Sequence, residues 1–168
     1  LLEILAGVSE VETHLVLSRA ALGTLALELP DWPPERIRAL ATHSYEPEDL
    51  AAPLASGSFR TEAMVVAPCS MKTLAALAHS HADNLLVRAG DVTLKERRRL
   101  ILVPRETPLH LGHLRNMVAL AEMGAVLVPP SVAFYHRPLT VQDVVDHTVG
   151  KVLDLLSIEH DLFQRWGS

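Results

Sequence analysis

Apolar residues along the chain fall into short unbroken runs, and between the runs they recur at helical spacing. Residues 13–17 (T-H-L-V-L), 63–67 (A-M-V-V-A), 100–103 (L-I-L-V) and 125–128 (A-V-L-V) have the length and composition of strands. They are uniformly apolar rather than alternating, the pattern of strands in a parallel sheet covered on both faces. The stretches between them predict helices: 19–29 behind a Ser18 N-cap, 34–42 with Pro34 in its first turn, and 71–78. Asp83 predicts the cap of a helix from 84 to about 97, interrupted near Gly90-Asp91. Two more follow, 110–123 closed by Gly124, and one from Thr140, paired with Asp143 in an approximate capping box, to about 156. Residues 45–60, with Pro47, Pro53 and Ser56-Gly57-Ser58, predict an irregular loop long enough to suggest a function. With no repeat, low-complexity tract or linker, the alternation predicts a single α/β domain over 1–168.

The start of the chain breaks this order. Leu1-Leu2-Glu3-Ile4-Leu5 is already in helical register, with no cap and no first turn ahead of it. The expectation is a truncated helix whose beginning lies upstream of Leu1.

Composition narrows the class without choosing a function. At 168 residues, 49% hydrophobic and 21% charged, the chain can bury a core without disulfide or metal staples. Its net charge of −5, with no like-charge run longer than Arg97-Arg98-Arg99, argues against nucleic acid or an anionic membrane as a partner. A single cysteine, Cys69, excludes an intrachain disulfide and is compatible with a reducing compartment. No apolar run is long enough to span a bilayer and no signal peptide is visible, so the expected location is cytoplasmic.

Residues just beyond the strands of a parallel sheet converge on one edge. Here they are Ser18, Ser70, Met71, Lys72, Thr73, Arg105, Glu106 and Tyr135. Hydroxyls and cations at helix N-termini suit a phosphate or another oxyanion, although each hydroxyl alone is also an ordinary cap. Glu106 lies between Pro104 and Pro108 at the mouth of a buried strand, a place for acid/base work or for a plain ion pair with Arg105. Arg88 and Lys95, seven residues apart, share a face of a continuous helix, whereas Arg97 to Arg99 are expected to be solvated surface. The pairs His79/His81 and His110/His113 lack a partner at zinc-like spacing and are expected as surface or capping histidines, with no metal site. Cys69 is expected as a small buried residue, and Trp32, Phe163 and Trp166 as core or subunit contacts. No Walker lysine motif and no G-x-G-x-x-G is present.

Several long blocks carry a resemblance: 55–59 (A-S-G-S-F), 65–73 (V-V-A-P-C-S-M-K-T), 94–98 (L-K-E-R-R) and 102–110 (L-V-P-R-E-T-P-L-H). Pro129-Pro130 through Ala133-Phe134-Tyr135, and Asp146-His147 through Asp154-Leu155-Leu156, continue it. In this order, over residues 11–166, they resemble the UbiX/Pad1 family of flavin prenyltransferases. The resemblance implies a homo-oligomeric, Rossmann-like flavoprotein with a parallel sheet flanked by helices, sites at subunit interfaces, and no metal. It implies transfer of a dimethylallyl group from dimethylallyl phosphate to N5 of reduced FMN, then ring closure at C6. The product, prenylated FMN, would serve UbiD-type decarboxylases of aromatic and α,β-unsaturated acids.

By the same resemblance, Ser18, Ser70, Met71, Lys72, Thr73 and Arg105 hold FMN. Arg88, Lys95, Tyr135 and Lys151 surround the prenyl phosphate, and Glu106 moves protons during ring closure. Fixed positive charge around a phosphate leaving group is what an allylic cation-like transition state needs. Two departures stand out. Lys151 takes a position that is usually arginine in the family, so a point charge replaces a bidentate fork. The family's first strand and its Gly-Ala-Ser loop have no counterpart, so roughly 15–25 residues are expected upstream, the length of a strand, a loop and the first helical turns. The alternatives are a non-catalytic FMN-binding or carrier protein, a related flavin-dependent decarboxylase of a cysteine-containing peptide or pantothenate intermediate, and an aromatic-acid decarboxylase.

Overall fold

The computed structural model describes residues 1–165; Trp166, expected as a core or subunit contact, lies outside them. At the centre is the strand β4 (Arg99–Pro104), with Leu100, Ile101 and Leu102 fully buried. Successive side chains of a strand point to opposite faces, and this one supplies two cores. Leu100 and Leu102 pack with Leu74 and Leu77 of α4 (Met71–Ala78), Val87 of α5 (Leu85–Lys95) and Leu120 of α6 (Leu111–Glu122). Ile101 and Val103 pack on the other face with Val152 of α7 (Val141–Leu156), Leu155 and Leu1. Each fully buried leucine or isoleucine contributes about 1.5–3 kcal/mol through burial, which is why the apolar run fixes the sheet's centre.

β4 pairs in parallel with β3 (Ala63–Cys69) on one side and β5 (Val126–Leu127) on the other. A second parallel pair, β1 (His14–Val16) with β2 (His43–Tyr45), stands apart from these three strands. Between the facing edges of β1 and β3 lies a cavity of about 1460 Å³, lined by residues along the full length of both strands. The slot explains why β3 is unevenly covered: Val66 and Cys69 are buried, whereas Ala67 and Pro68 are exposed. The helix α1 (Leu2–Ala6) also lines it.

The expected helices form with small shifts at their ends. Ser18 caps α2 (Arg19–Glu28), Thr140 and Asp143 make a complete capping box on α7, and Gly124 follows α6 at φ +98°. Four expectations are corrected. The cap of α5 is Asn84, whose side chain accepts from the Val87 N–H, while the Asp83 carboxylate accepts from the Asn84 side-chain amide. That helix runs unbroken through Gly90, because Leu77 packs where a side chain there would stand. The helix expected over 34–42 is α3 (Pro34–Arg38) and stops early. The Thr42 and His43 N–H groups instead donate to Thr13, drawing the chain into β2, which the pattern did not predict. Lastly, β3 continues through Pro68, which sits on the edge facing the slot, where the register to β4 shifts and no donor is required.

Candidate active site

The C-terminal ends of β1, β3 and β4 open onto one end of the slot. Ser18, Ser70, Met71, Thr73, Arg105 and Glu106 all line it there. Ser18 Oγ accepts from the Ala21 N–H at 3.1 Å, and Ser70 Oγ accepts from the Thr73 N–H at 3.2 Å while donating to Thr73 Oγ1. Both serines therefore hold helix starts whose remaining N–H donors are available to an anion. The Arg105 N–H donates to the Cys69 carbonyl at 3.4 Å, which ties the 105–108 loop to the start of α4. Glu106 is exposed, and its carboxylate accepts from the Thr107 N–H at 3.0 Å, so the side chain is held over its own loop. Lys72 is exposed on α4 and does not line the cavity.

The other four expected residues lie elsewhere, in two sets. Arg88 and Lys95 project from α5 beside the 55–58 loop. Arg88 donates to the Ala55 carbonyl at 3.1 Å and pairs with Asp91 at 2.9 Å, and Lys95 pairs with Glu96. The expected shared face of α5 is thus present. Tyr135 and Lys151 belong to the α7 side. The Tyr135 hydroxyl is hydrogen-bonded to His147 Nε2 at 3.3 Å, and Lys151 stands 3.7 Å from Asp154. Burial, then the neighbouring His136 and Lys151, lower the pKa of His147, which favours a neutral ring beside the phenol. Asp154 is held below the usual carboxylate range chiefly by its hydrogen bond from Arg165, so it stays anionic beside Lys151.

Sequence spacing missed three supporting residues. Arg98 is not solvated surface: its guanidinium donates to the Phe59 and Gly57 carbonyls, each at 2.7 Å, and so fixes the 55–58 loop against α5. Arg97 and Arg99 are exposed as expected, although Arg99 also donates to the Leu155 carbonyl. Gly57 matters because a Cβ there would collide with Lys95 Nζ and the Glu96 carboxylate. His147 was visible only as part of a motif. Among the expected histidines, His110 caps α6 by accepting from the Gly112 N–H at 3.0 Å, and the ring of His113 lies tilted against it. Phe163 packs against Gly150 of α7, Trp32 is half-buried under the Arg36 guanidinium, and Cys69 is fully buried.

A hydroxyl-rich edge with two helix N-termini and an arginine fits the phosphate of a flavin nucleotide. Comparison with known proteins decides the family. The chain matches the Flavoprotein family over residues 1–161. It is 53% identical over 168 residues to flavin prenyltransferase UbiX of Escherichia coli strain K12, covering 99% of this chain and 88% of that protein. The chain belongs to the UbiX flavin prenyltransferase family. Among solved structures, a dodecameric FMN-dependent UbiX-like decarboxylase from Escherichia coli O157:H7 superposes with a TM-score of 0.96 at 51% identity, covering 99% of this chain and 90% of that one. AnUbiX (PadA1) in complex with FMN and dimethylallyl pyrophosphate gives 0.95 at 48% identity, covering 99% and 88%. The Rossmann-like parallel sheet flanked by helices is therefore the family's own fold, and no described helix is long and apolar enough to cross a membrane.

Proposed function

We infer that this chain is a flavin prenyltransferase that joins a dimethylallyl group from dimethylallyl phosphate to reduced FMN, first at N5 and then at C6. The observation that carries the reading is the gathering of Ser18, Ser70, Met71, Thr73, Arg105 and Glu106 on one cavity in a chain half identical to UbiX. When bound, the flavin supplies the nucleophile. The chain's own groups have four tasks: binding two phosphates, orienting the two substrates, excluding water, and moving protons near Glu106. Ser18, Ser70, Thr73 and Arg105 hold the flavin side, with Met71 beside them and Lys72 contributing charge from the flank. Arg88, Lys95, Tyr135 and Lys151 receive the prenyl phosphate; the three cations and the Tyr135 hydroxyl stabilise the phosphate as it leaves.

The two sets of prenyl-phosphate residues come together, in this reading, across subunits of a homo-oligomer. Leu111, Leu114 and Val118 form an exposed apolar stripe on α6, and Phe134, Leu139 and Val141 are 75–92% exposed around Tyr135. Apolar surface of this extent is expected to be covered by copies of the chain. The product, prenylated FMN, passes to a UbiD-type decarboxylase in the cytoplasm.

Anaerobic incubation with reduced FMN and dimethylallyl phosphate, followed by mass spectrometry, tests the reading. The expected result is flavin plus one prenyl group. Flavin binding without an adduct would make this chain an FMN carrier instead.

A further inference from the structure

At the opposite end of the β1–β2 pair from the flavin edge, three metal-ligating side chains converge. His14 and His43 are direct partners in the parallel register, so their rings share a face and stack with centroids 4.8 Å apart. Glu12, two residues before His14, points the same way by the period of an extended chain. Its Oε1 lies 2.6 Å from His43 Nε2 and 3.7 Å from His14 Nε2, and the three ligand atoms lie within 4.8 Å of one another.

We propose that Glu12, His14 and His43 form a binding site for a divalent transition-metal ion, with zinc as the best-suited ion, that staples β1 to β2. Two imidazoles and a carboxylate are a ligand set that zinc accepts, with bonds of about 2.0–2.2 Å. Ligand atoms on one tetrahedral ion stand about 3.4 Å apart, so the present separations of up to 4.8 Å must close by about an ångström, shared between the ligands. Glu12 and His43 have exposed side chains that can make this movement, whereas His14 is 13% exposed and fixed.

The surroundings orient the ligands. His14 Nδ1 is hydrogen-bonded to the Tyr45 hydroxyl at 3.0 Å, leaving Nε2 to face Glu12. Outer contacts of this kind set the tautomer of a ligating histidine. Phe59 closes the other side of the His14 ring edge-on at 5.2 Å. The backbone just before each histidine is clamped, because the Thr13 and Thr42 N–H groups donate reciprocally to each other's side-chain oxygens at 3.0 Å. In the structure Glu12 and His43 form a hydrogen-bonded pair, and a bound ion would replace that proton. Strands only three residues long gain from such a cross-link. Because the site lies at the strands' N-terminal ends, the ion takes no part in prenyl transfer.

The test uses untagged full-length protein stripped with a chelator and titrated with zinc chloride, with magnesium chloride as control. One zinc per chain and a raised Tm are expected, with no response to magnesium. His43→Ala and Glu12→Ala, both at exposed side chains, should abolish binding. Tyr45→Phe should weaken it roughly tenfold or more by freeing the His14 ring. His79→Ala should leave it unchanged. No zinc uptake by the parent protein, or uptake unaffected by His43→Ala, would overturn the site and leave an ordinary proton-linked ion pair. Zinc removal that stops prenyl transfer would overturn its structural role.

Discussion

Three residues show how local environment sets chemical role. Cys69 sits inside a family motif beside Ser70, Lys72 and Thr73 but is fully buried, and burial pushes its thiol up to about 12. It should therefore resist iodoacetamide at pH 8 in the native protein and react rapidly in denaturant; fast native labelling would contradict its placement. Glu106, in contrast, is exposed at the cavity wall, and its carboxylate accepts from the Thr107 N–H of its own loop. Glu106→Gln should slow adduct formation by roughly 10²-fold with FMN affinity nearly unchanged, as befits a proton-transfer group. If flavin binding collapses instead, Glu106 has a structural role. Gly57 acts through space it leaves empty. Gly57→Ala must push aside Lys95, and the KM for dimethylallyl phosphate should rise roughly tenfold, the loss of about one charge-assisted contact. Steady-state kinetics with FMN binding measured in parallel would separate that effect from misfolding.

Among the elements, the slot between β1 and β3 is the feature that strands alone do not explain. Both strands turn an unpaired edge toward it, and such edges carry backbone donors and acceptors that a parallel strand would satisfy. α1 lines the slot and leads into β1, the order of a strand–helix–strand unit. An extended apolar segment supplied as a separate peptide should occupy the slot, raise Tm and tighten FMN binding. An unchanged Tm with the segment still cleaved readily by protease would show that the slot does not take a strand. The same element scale accounts for the early end of α3: the N–H groups of Thr42 and His43 find partners on Thr13 rather than in a longer helix.

For the whole molecule, the arrangement of charge matters more than its total. Arg88 and Lys95 are organised by α5 and the loop that Arg98 buttresses, while Tyr135 and Lys151 are organised by α7. In the proposed function a prenyl-phosphate site that draws on both sets is completed by a second copy. Lys95→Ala and Lys151→Ala should each be inactive alone, and co-assembled mixtures should regain activity at the minority of sites that receive both intact residues. Mixtures that stay inactive would place both lysines in one protomer's site. Lys151→Arg should retain or increase activity, since the guanidinium adds a second donor toward the same phosphate.

What the sequence determined by itself was local. The apolar run of β4, the Ser70 and Thr140 caps, the Gly124 stop and the charged turn after β4 depend on residues a few positions apart, and all were legible. Family motifs added the flavin chemistry, because long blocks in order are specific where single residues are not. What only the tertiary structure decided depends on register between distant segments. The Thr13–Thr42 clamp spans 29 residues, and it creates β2 and brings Glu12, His14 and His43 together. Arg98 reaches carbonyls about 40 positions away and leaves the solvated face to which its run of arginines assigned it. Periodicity reports which side of an element is apolar; it carries no information on which other element that side will meet.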